Sequence, residues 1–282
     1  MSEITAELHK RKNAERVSNR DIDVLSVWDE LFVAQHYGVF CRDVQERALR
    51  EWILPLRYLR NFGTIGFEGQ LRLLQATAGV VGVGGLGGLI AELLARMGVG
   101  SLILVDTDRF EDNNLNRQLH ATQNNLGRSK VDCVGERIGA INSGTRLALH
   151  AQRLDSETSE ALLGPCDVVA DALDNVPSRF VLQKAAHSLG IPMMHGAIGG
   201  FLGQVTTVFP GDEGLYAFYP EGESSGGSHA ETMLGNPAPT PAMIASWQAQ
   251  EMIKYLTGLG ELLRNRMLIF DAQTATVEKM EY

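Results

Sequence analysis

The chain is 282 residues long, enough for one large α/β domain or two small ones around a substantial core. Its 44% hydrophobic and 21% charged residues exclude a disordered, collagen-like or disulfide-stapled chain. With 25 Lys+Arg against 34 Asp+Glu, the net charge of −9 lacks the basic footprint of a free nucleic-acid binder, so no nucleic-acid partner is expected.

The first twelve residues are charged throughout and contain no signal-peptide apolar core, which predicts a cytoplasmic protein. Residues 1–56 form an expected N-terminal helical extension. They have no glycine before Gly38 and no proline before Pro55, and Val24, Leu25, Val27, Trp28, Leu31 and Phe32 recur at helical spacing. Asn61 to Gln70 reads as a turn-rich stretch. The main domain is expected over 57–282, with a nucleotide-binding half to about 200 and C-terminal strands with a crossover loop beyond.

From Ala78 the pattern is strand, turn and helix, repeated. Ala78–Val83 is a β-branched run, and Leu86, Leu89, Ile90, Leu93 and Met97 mark a helix face that ends at Gly98. Strands are predicted at Leu102–Val105, Leu147–Ala151, Val168–Ala172 and Ile191–Gly196, with a helix over Lys130–Ile141. Asn175-Val176-Pro177 opens a further helix, Asn as the cap and Pro in the first turn. After Gly203 come strands at Gln204–Phe209, Met267–Asp271 and Val277–Met280, a helix over Met243–Leu256, and a Gly/Ser/Pro-rich loop over Glu221–Pro241. The predicted class is α/β: a doubly wound, mainly parallel Rossmann-like sheet with a C-terminal antiparallel part. Leu73–Ala91 is uncharged for 19 residues, but six glycines interrupt it, so a strand, turn and helix start replace a membrane span. No membrane partner is expected.

Gly82-Val83-Gly84-Gly85-Leu86-Gly87 matches G-x-G-x-x-G between a strand and a helix. Gly82 permits the tight turn, Gly84 lets the backbone approach a pyrophosphate, and Gly87 lets helix pack on strand. Asp106 ends the next strand, 24 residues beyond Gly82, where an acid accepts hydrogen bonds from ribose hydroxyls. This much also suits a nicotinamide dehydrogenase. The segment from Asp106 through Asp108, Asn113, Asn114 and Arg117 to Gln118 separates the two, because it sets amide donors and a fixed cation beside the pocket. A triphosphate needs that cation and hydride transfer does not. Lys130 follows in the first turn of a helix, where the macrodipole disfavours a cation unless an anion compensates; the competing reading is a solvated surface lysine. Asp174 and Asn175 lie at the carboxyl end of another strand, the ligand edge of such sheets. A carboxylate there suits a magnesium ion on phosphates, and helix capping is the compatible alternative. His195 is given no role, and the three cysteines (Cys41, Cys133, Cys166) show no disulfide or zinc spacing.

Arg57-Tyr58-Leu59-Arg60, Gly66-Phe67-Glu68-Gly69-Gln70, the Gly82–Gly87 turn, Asp106-Thr107-Asp108, Asn114-Leu115-Asn116-Arg117-Gln118, Lys130 and Asp174-Asn175 stand in an order that resembles the E1-like family. This family includes the ubiquitin-activating enzymes and the bacterial MoeB and ThiF proteins. The resemblance spans residues 57–282 and implies an ATP- and magnesium-dependent adenylyltransferase, likewise a homodimer. Its substrate would be the Gly-Gly carboxyl terminus of a ubiquitin-like sulfur carrier, activated as an acyl-adenylate with release of pyrophosphate. The resemblance further implies that Asp106 holds the ribose, that Asp108 belongs to the nucleotide site, and that Gly85 and its neighbours approach the phosphates. Asn114, Arg117 and Lys130 would contact the triphosphate, Asn113 would belong to the nucleotide site, and Asp174 would hold magnesium beside Asn175. Arg60 is the candidate arginine reaching a neighbouring protomer's ATP, with Arg57 its competitor and a solvated helix charge the plain alternative. The segment from Arg60 to Gln70 is shorter than in MoeB-like relatives.

Two departures stand out. No cysteine follows Cys166, so the paired CxxC motifs of MoeB and ThiF are missing and no structural zinc is expected. The loop that carries a thioester cysteine in some relatives holds only Ser224, Ser225, Ser228 and Thr232, without a neighbouring base. The chemistry is therefore expected to stop at the acyl-adenylate. The alternatives are the same fold adenylating a peptide, tRNA or small-molecule carboxylate, with residues 1–56 as a clamp, and a non-catalytic ATP-sensing scaffold.

Overall fold

A computed structural model describes residues 3–17, 19–219 and 234–282. The N-terminal region contains the expected helices, α1 (Glu3–Arg11), α2 (Val27–Tyr37) and α3 (Cys41–Arg50). It also contains strands that the helical reading did not anticipate: β1 (Asn13–Val17), β2 (Arg20–Leu25) and β3 (Leu54–Pro55), in the order β1-β2-β3. The hairpin escaped notice because Asn-Ala-Glu-Arg-Val is exposed along nearly its whole length and shows no apolar alternation. Val24 and Leu25, assigned above to a helix, end β2. α2 turns Val33 and Ala34 inward, leaving Trp28 80% exposed.

The stretch read as turn-rich is instead a helix, α4 (Phe62–Gln75), bent where Gly66 takes φ 62 and ψ −168. Its glycines disguised a segment that buries Ile65, Gln70, Leu73 and Leu74.

The main sheet follows the predicted rhythm: β4 (Thr77–Val81), α5 (Gly87–Met97), β5 (Ser101–Val105), α6 (Lys130–Ile141), β6 (Arg146–His150), α7 (Ser159–Leu163), β7 (Val168–Asp171), α8 (Val176–Leu189) and β8 (Met193–Gly199). There follow β9 (Leu202–Val208), α9 (Pro239–Thr257), β10 (Arg266–Asp271) and β11 (Thr276–Glu281). The order is β11-β10-β9-β8-β7-β4-β5-β6. From β8 through β6 all neighbours are parallel, and β9 to β11 pair antiparallel. One face packs Ile90, Leu94, Ile244 and Met252 over the sheet; the other packs Leu163, Phe180 and Leu182. Burial of both faces explains why β4, β5 and β7 read as unbroken apolar runs.

The chain leaves β4 toward β5 on one side, while β7 lies on the other. The order therefore reverses between β4 and β7, and a crevice opens at their carboxyl ends. Most of the predicted Glu221–Pro241 loop, including Ser224, Ser225, Ser228 and Thr232, lies outside the described residues. Its last residues, Pro239-Thr240-Pro241, begin α9. Among the described residues no helix is long and apolar enough to cross a membrane. Cys41, Cys133 and Cys166 are all buried and free, and burial pushes the Cys166 thiol up to about 12, as suits a small core residue.

Candidate active site

The turn after β4 is built on glycine for steric reasons. Gly82 takes φ 83, donates its N–H to Val105 O at 2.8 Å, and passes so near β7 that a Cβ would sit 2.6 Å from Ala172 O. Gly87 is tighter still, since a Cβ there would lie 1.7 Å from Gly82 O. α5 starts at Leu86 with no side-chain cap; the Gly88 N–H goes to Gly84 O at 3.2 Å, which leaves the N–H groups of Gly87 and Leu89 available to an anion.

Asp106 stands at the end of β5. Its Oδ2 accepts the Val83 N–H at 2.7 Å and its Oδ1 the Asp108 N–H at 2.8 Å, so one carboxylate ties the glycine turn to the next loop. Burial raises its proton affinity, opposed by those N–H groups and by Lys130. Lys130 is only 6% exposed, which overturns the surface-lysine alternative. It donates from Nζ to Asp108 Oδ2 at 2.9 Å and from its backbone N–H to Asp108 O at 3.0 Å. Asp108 is thus the anion that the helix-start position calls for.

Gly82, Gly84, Gly85, Asp106, Asp108, Arg117, Lys130, Asp174 and Asn175 all line one cleft of about 340 Å³ at the sheet's carboxyl edge. That volume falls in the range of small-molecule sites. Gly87, Asn113, Asn114 and Arg60 do not line it. Gly87 acts through the turn's packing. Asn114 is buried and accepts the Glu111 N–H at 3.0 Å in a capping box; Arg117 donates to Asn113 O at 2.8 Å and Asn116 Oδ1 at 2.9 Å. The two asparagines therefore build the loop that aims Arg117. Arg60 is exposed and away from its own chain's cleft, whereas Arg57 is engaged inside, 3.1 Å from the buried Glu30.

Asn175 caps α8, its Oδ1 accepting the Ser178 N–H at 2.9 Å. Asn175→Ala is expected to cost about 1 kcal/mol in thermal denaturation, and Asn175→Ser to restore it. An activity loss that persists in the serine variant would show that Asn175 also touches substrate.

Asp174 is exposed at the cleft, and its Oδ1 accepts from Asn175 Nδ2 at 3.1 Å. Among the described residues there is no group of three or more metal-ligating side chains. This donor set does not form an all-protein cage, but it fits magnesium, which takes one or two carboxylates and completes its shell with waters and phosphates.

The cleft also draws on Gln118, which the sequence reading named only as the end of its motif, and on Gln152, Arg153, Ser178 and Asn236, which it did not select. Gln152 and Arg153 could have been found, because they follow β6 at the same sheet edge. Asn236 had no signal, since only the fold returns the stretch before α9 to the nucleotide cleft.

Residues 57–282 match the ThiF family. The chain belongs to that family. It is 35% identical to the SAMP-activating enzyme E1 of Haloferax volcanii, over 80% of this chain and 84% of the relative. It is also 35% identical to the sulfur carrier protein adenylyltransferase of Thermus thermophilus, over 83% and 86%. Among solved structures, E. coli MccB with AMPCPP and MccA aligns over 96% of this chain and 95% of its own, with a TM-score of 0.68 and 17% identity. This likeness speaks to the fold of a ThiF-family chain.

Proposed function

We propose that this ThiF-family protein is an ATP-dependent adenylyltransferase that activates the C-terminal carboxylate of a small ubiquitin-like sulfur carrier. The observation that carries this reading is the convergence of a pyrophosphate-compatible glycine turn, Asp106, Arg117, Lys130 and Asp174 on one cleft. Two relatives named for activating such carriers support it. The terminal carboxylate oxygen attacks the α-phosphorus, and the bond from that phosphorus to the bridging oxygen breaks. The products are an acyl-adenylate and pyrophosphate.

The glycine turn and the start of α5 hold the phosphates, Asp106 takes the ribose, and Arg117 and Lys130 neutralise charge on the leaving pyrophosphate. Catalysis is positioning with electrostatic stabilisation and needs no general base, because the attacking group is already a carboxylate. Magnesium, held by Asp174, would supply further neutralisation of phosphate charge. The reading includes a cytoplasmic homodimer in which Arg60, exposed outside its own cleft, serves the neighbouring protomer.

A second reading keeps the reaction and changes the acceptor to a peptide gripped by the N-terminal unit. Its support is that the likeness to MccB, solved with MccA, extends through that unit, whereas the family match begins at residue 57. ATP–pyrophosphate exchange with Gly-Gly-ended carrier proteins and with peptides decides between them. Exchange only with carriers is the expected result, and exchange only with peptides selects the second reading. ATP binding without exchange on any acceptor leaves a nucleotide-sensing scaffold and removes both.

A further inference from the structure

Asp171 and His195 take no part in the chemistry outlined above, yet both are wholly buried. Asp171 ends β7, His195 pairs with it across the ladder on β8, and Nδ1 lies 2.7 Å from Asp171 Oδ2. A carboxylate and an imidazole withdrawn from water are costly unless their hydrogen bonds are satisfied. Here the bonds run outward in two directions. Asp171 Oδ1 accepts the Leu173 N–H at 3.1 Å, which fixes the turn leading to Asp174. On the other side, donation of the Nδ1 proton to Asp171 leaves His195 Nε2 as an acceptor. The side-chain amide of Gln204 donates to it at 3.4 Å. Burial lowers the proton affinity of His195 and so favours this neutral ring.

Gln204 faces Ala197 across the β8–β9 ladder and lines a second cavity of about 350 Å³. That cavity shares Asp174 and Ile198 with the nucleotide cleft. Its other walls are mostly apolar or glycine, among them Leu202, Gly203, Leu234 and Ile269. With its amide nitrogen engaged by His195, Gln204 lines the cavity with a carbonyl oxygen that makes no hydrogen bond among the described residues. A carbonyl oxygen there can accept an N–H from a bound acceptor, which a bare carboxylate does not offer and a peptide does.

The geometry points to Gln204 as the residue that recognises the last peptide N–H of the acceptor, with Asp171 and His195 as the positioning pair that sets its amide. This rests on the adenylation reading and narrows the acceptor to a peptidyl carboxylate. Gln204 is a specificity-determining residue, and small-molecule acids without an amide N–H are disfavoured at this site.

The test uses two semisynthetic probes: a ubiquitin-like carrier protein ending in Gly-Gly, and the same carrier with the last amide N–H replaced by an ester oxygen. In the wild-type protein, kcat/KM for pyrophosphate release is expected to fall about tenfold from amide to ester. Gln204→Leu should bring the amide probe down to the level of the ester and leave ATP affinity, measured by equilibrium dialysis, unchanged. His195→Phe should weaken discrimination, and the double variant should be no worse than Gln204→Leu alone, as two members of one unit require. Wild-type discrimination below about twofold, or full discrimination retained in Gln204→Leu, overturns the proposal. If neither probe turns over although ATP binds, the adenylation reading fails on its own terms. Equilibrium binding of the same two probes, fluorescently labelled, then judges Gln204 by the same amide-to-ester ratio.

Discussion

Lys130→Ala is expected to lower pyrophosphate release by about 100-fold or more while leaving thermal stability close to that of the wild type. The two halves of this expectation have separate causes. The lysine sits at the first position of α6, where its charge opposes the helix dipole, and alanine relieves that opposition. Its partner Asp108 is 57% exposed in its side chain, so losing the pair leaves a carboxylate that water solvates. The buried group that feels the loss is Asp106, which keeps its two backbone N–H donors, so the fold depends on this cation less than a leaving pyrophosphate does. Arg117→Ala and Asp174→Ala are expected to fall comparably, since each removes a charge from the same cleft. Near-normal rates in all three variants, with folding verified by circular dichroism, would refute the site.

Arg57→Ala should do the opposite and damage the fold. Arg57 lies 3.1 Å from Glu30, whose side chain is fully buried, and also donates to Asn142 Oδ1 at 3.0 Å and Ile141 O at 3.2 Å. Burial already raises the proton affinity of Glu30, and the arginine beside it is the main opposing influence. Removing one partner of a buried pair costs about 3–5 kcal/mol, because the other is left without compensation. In a chain of this size that lowers Tm by on the order of 10 °C. Without Arg57, Glu30 binds its proton more tightly in the folded than in the unfolded state. The deficit is then fully present above the raised folded pKa, and it shrinks as pH falls through that value toward the ordinary carboxylate range. Thermal melts across acidic pH should show this partial recovery, and a pH-independent deficit would contradict it. Arg60→Ala should leave Tm unchanged, which separates the two arginines experimentally.

The parallel half was legible because its strands are buried on both faces and its helices carry strong boundary signals. Gly98 ends α5 in the left-handed conformation, and Asn175 with Pro177 opens α8. The site residues at strand ends followed from the same frame. Asn113 and Asn114 were harder to place: a motif marks them as belonging to the site, but the chain uses them to shape the loop that carries Arg117. The N-terminal hairpin was invisible because β1 buries nothing that would impose a period. α4 was hidden by glycines that permit a bend, where the usual inference is a turn. The Asp171–His195 pair could not have been paired from sequence, since 24 residues and a helix separate two neighbours in space.

Residues Leu234–Asn236 touch both cavities, Leu234 lining one and Asn236 the other. Gly235 O accepts the Gly200 N–H at 2.7 Å and Asn236 O accepts from Asn116 at 3.1 Å, so this strap is tied to the β8–β9 turn and to the loop of Arg117. Because one stretch of backbone serves both compartments, any shift caused by filling either would reach the other. Thermodynamic linkage then makes the effect mutual: whatever factor nucleotide contributes to acceptor affinity, acceptor returns to nucleotide, irrespective of which arrives first.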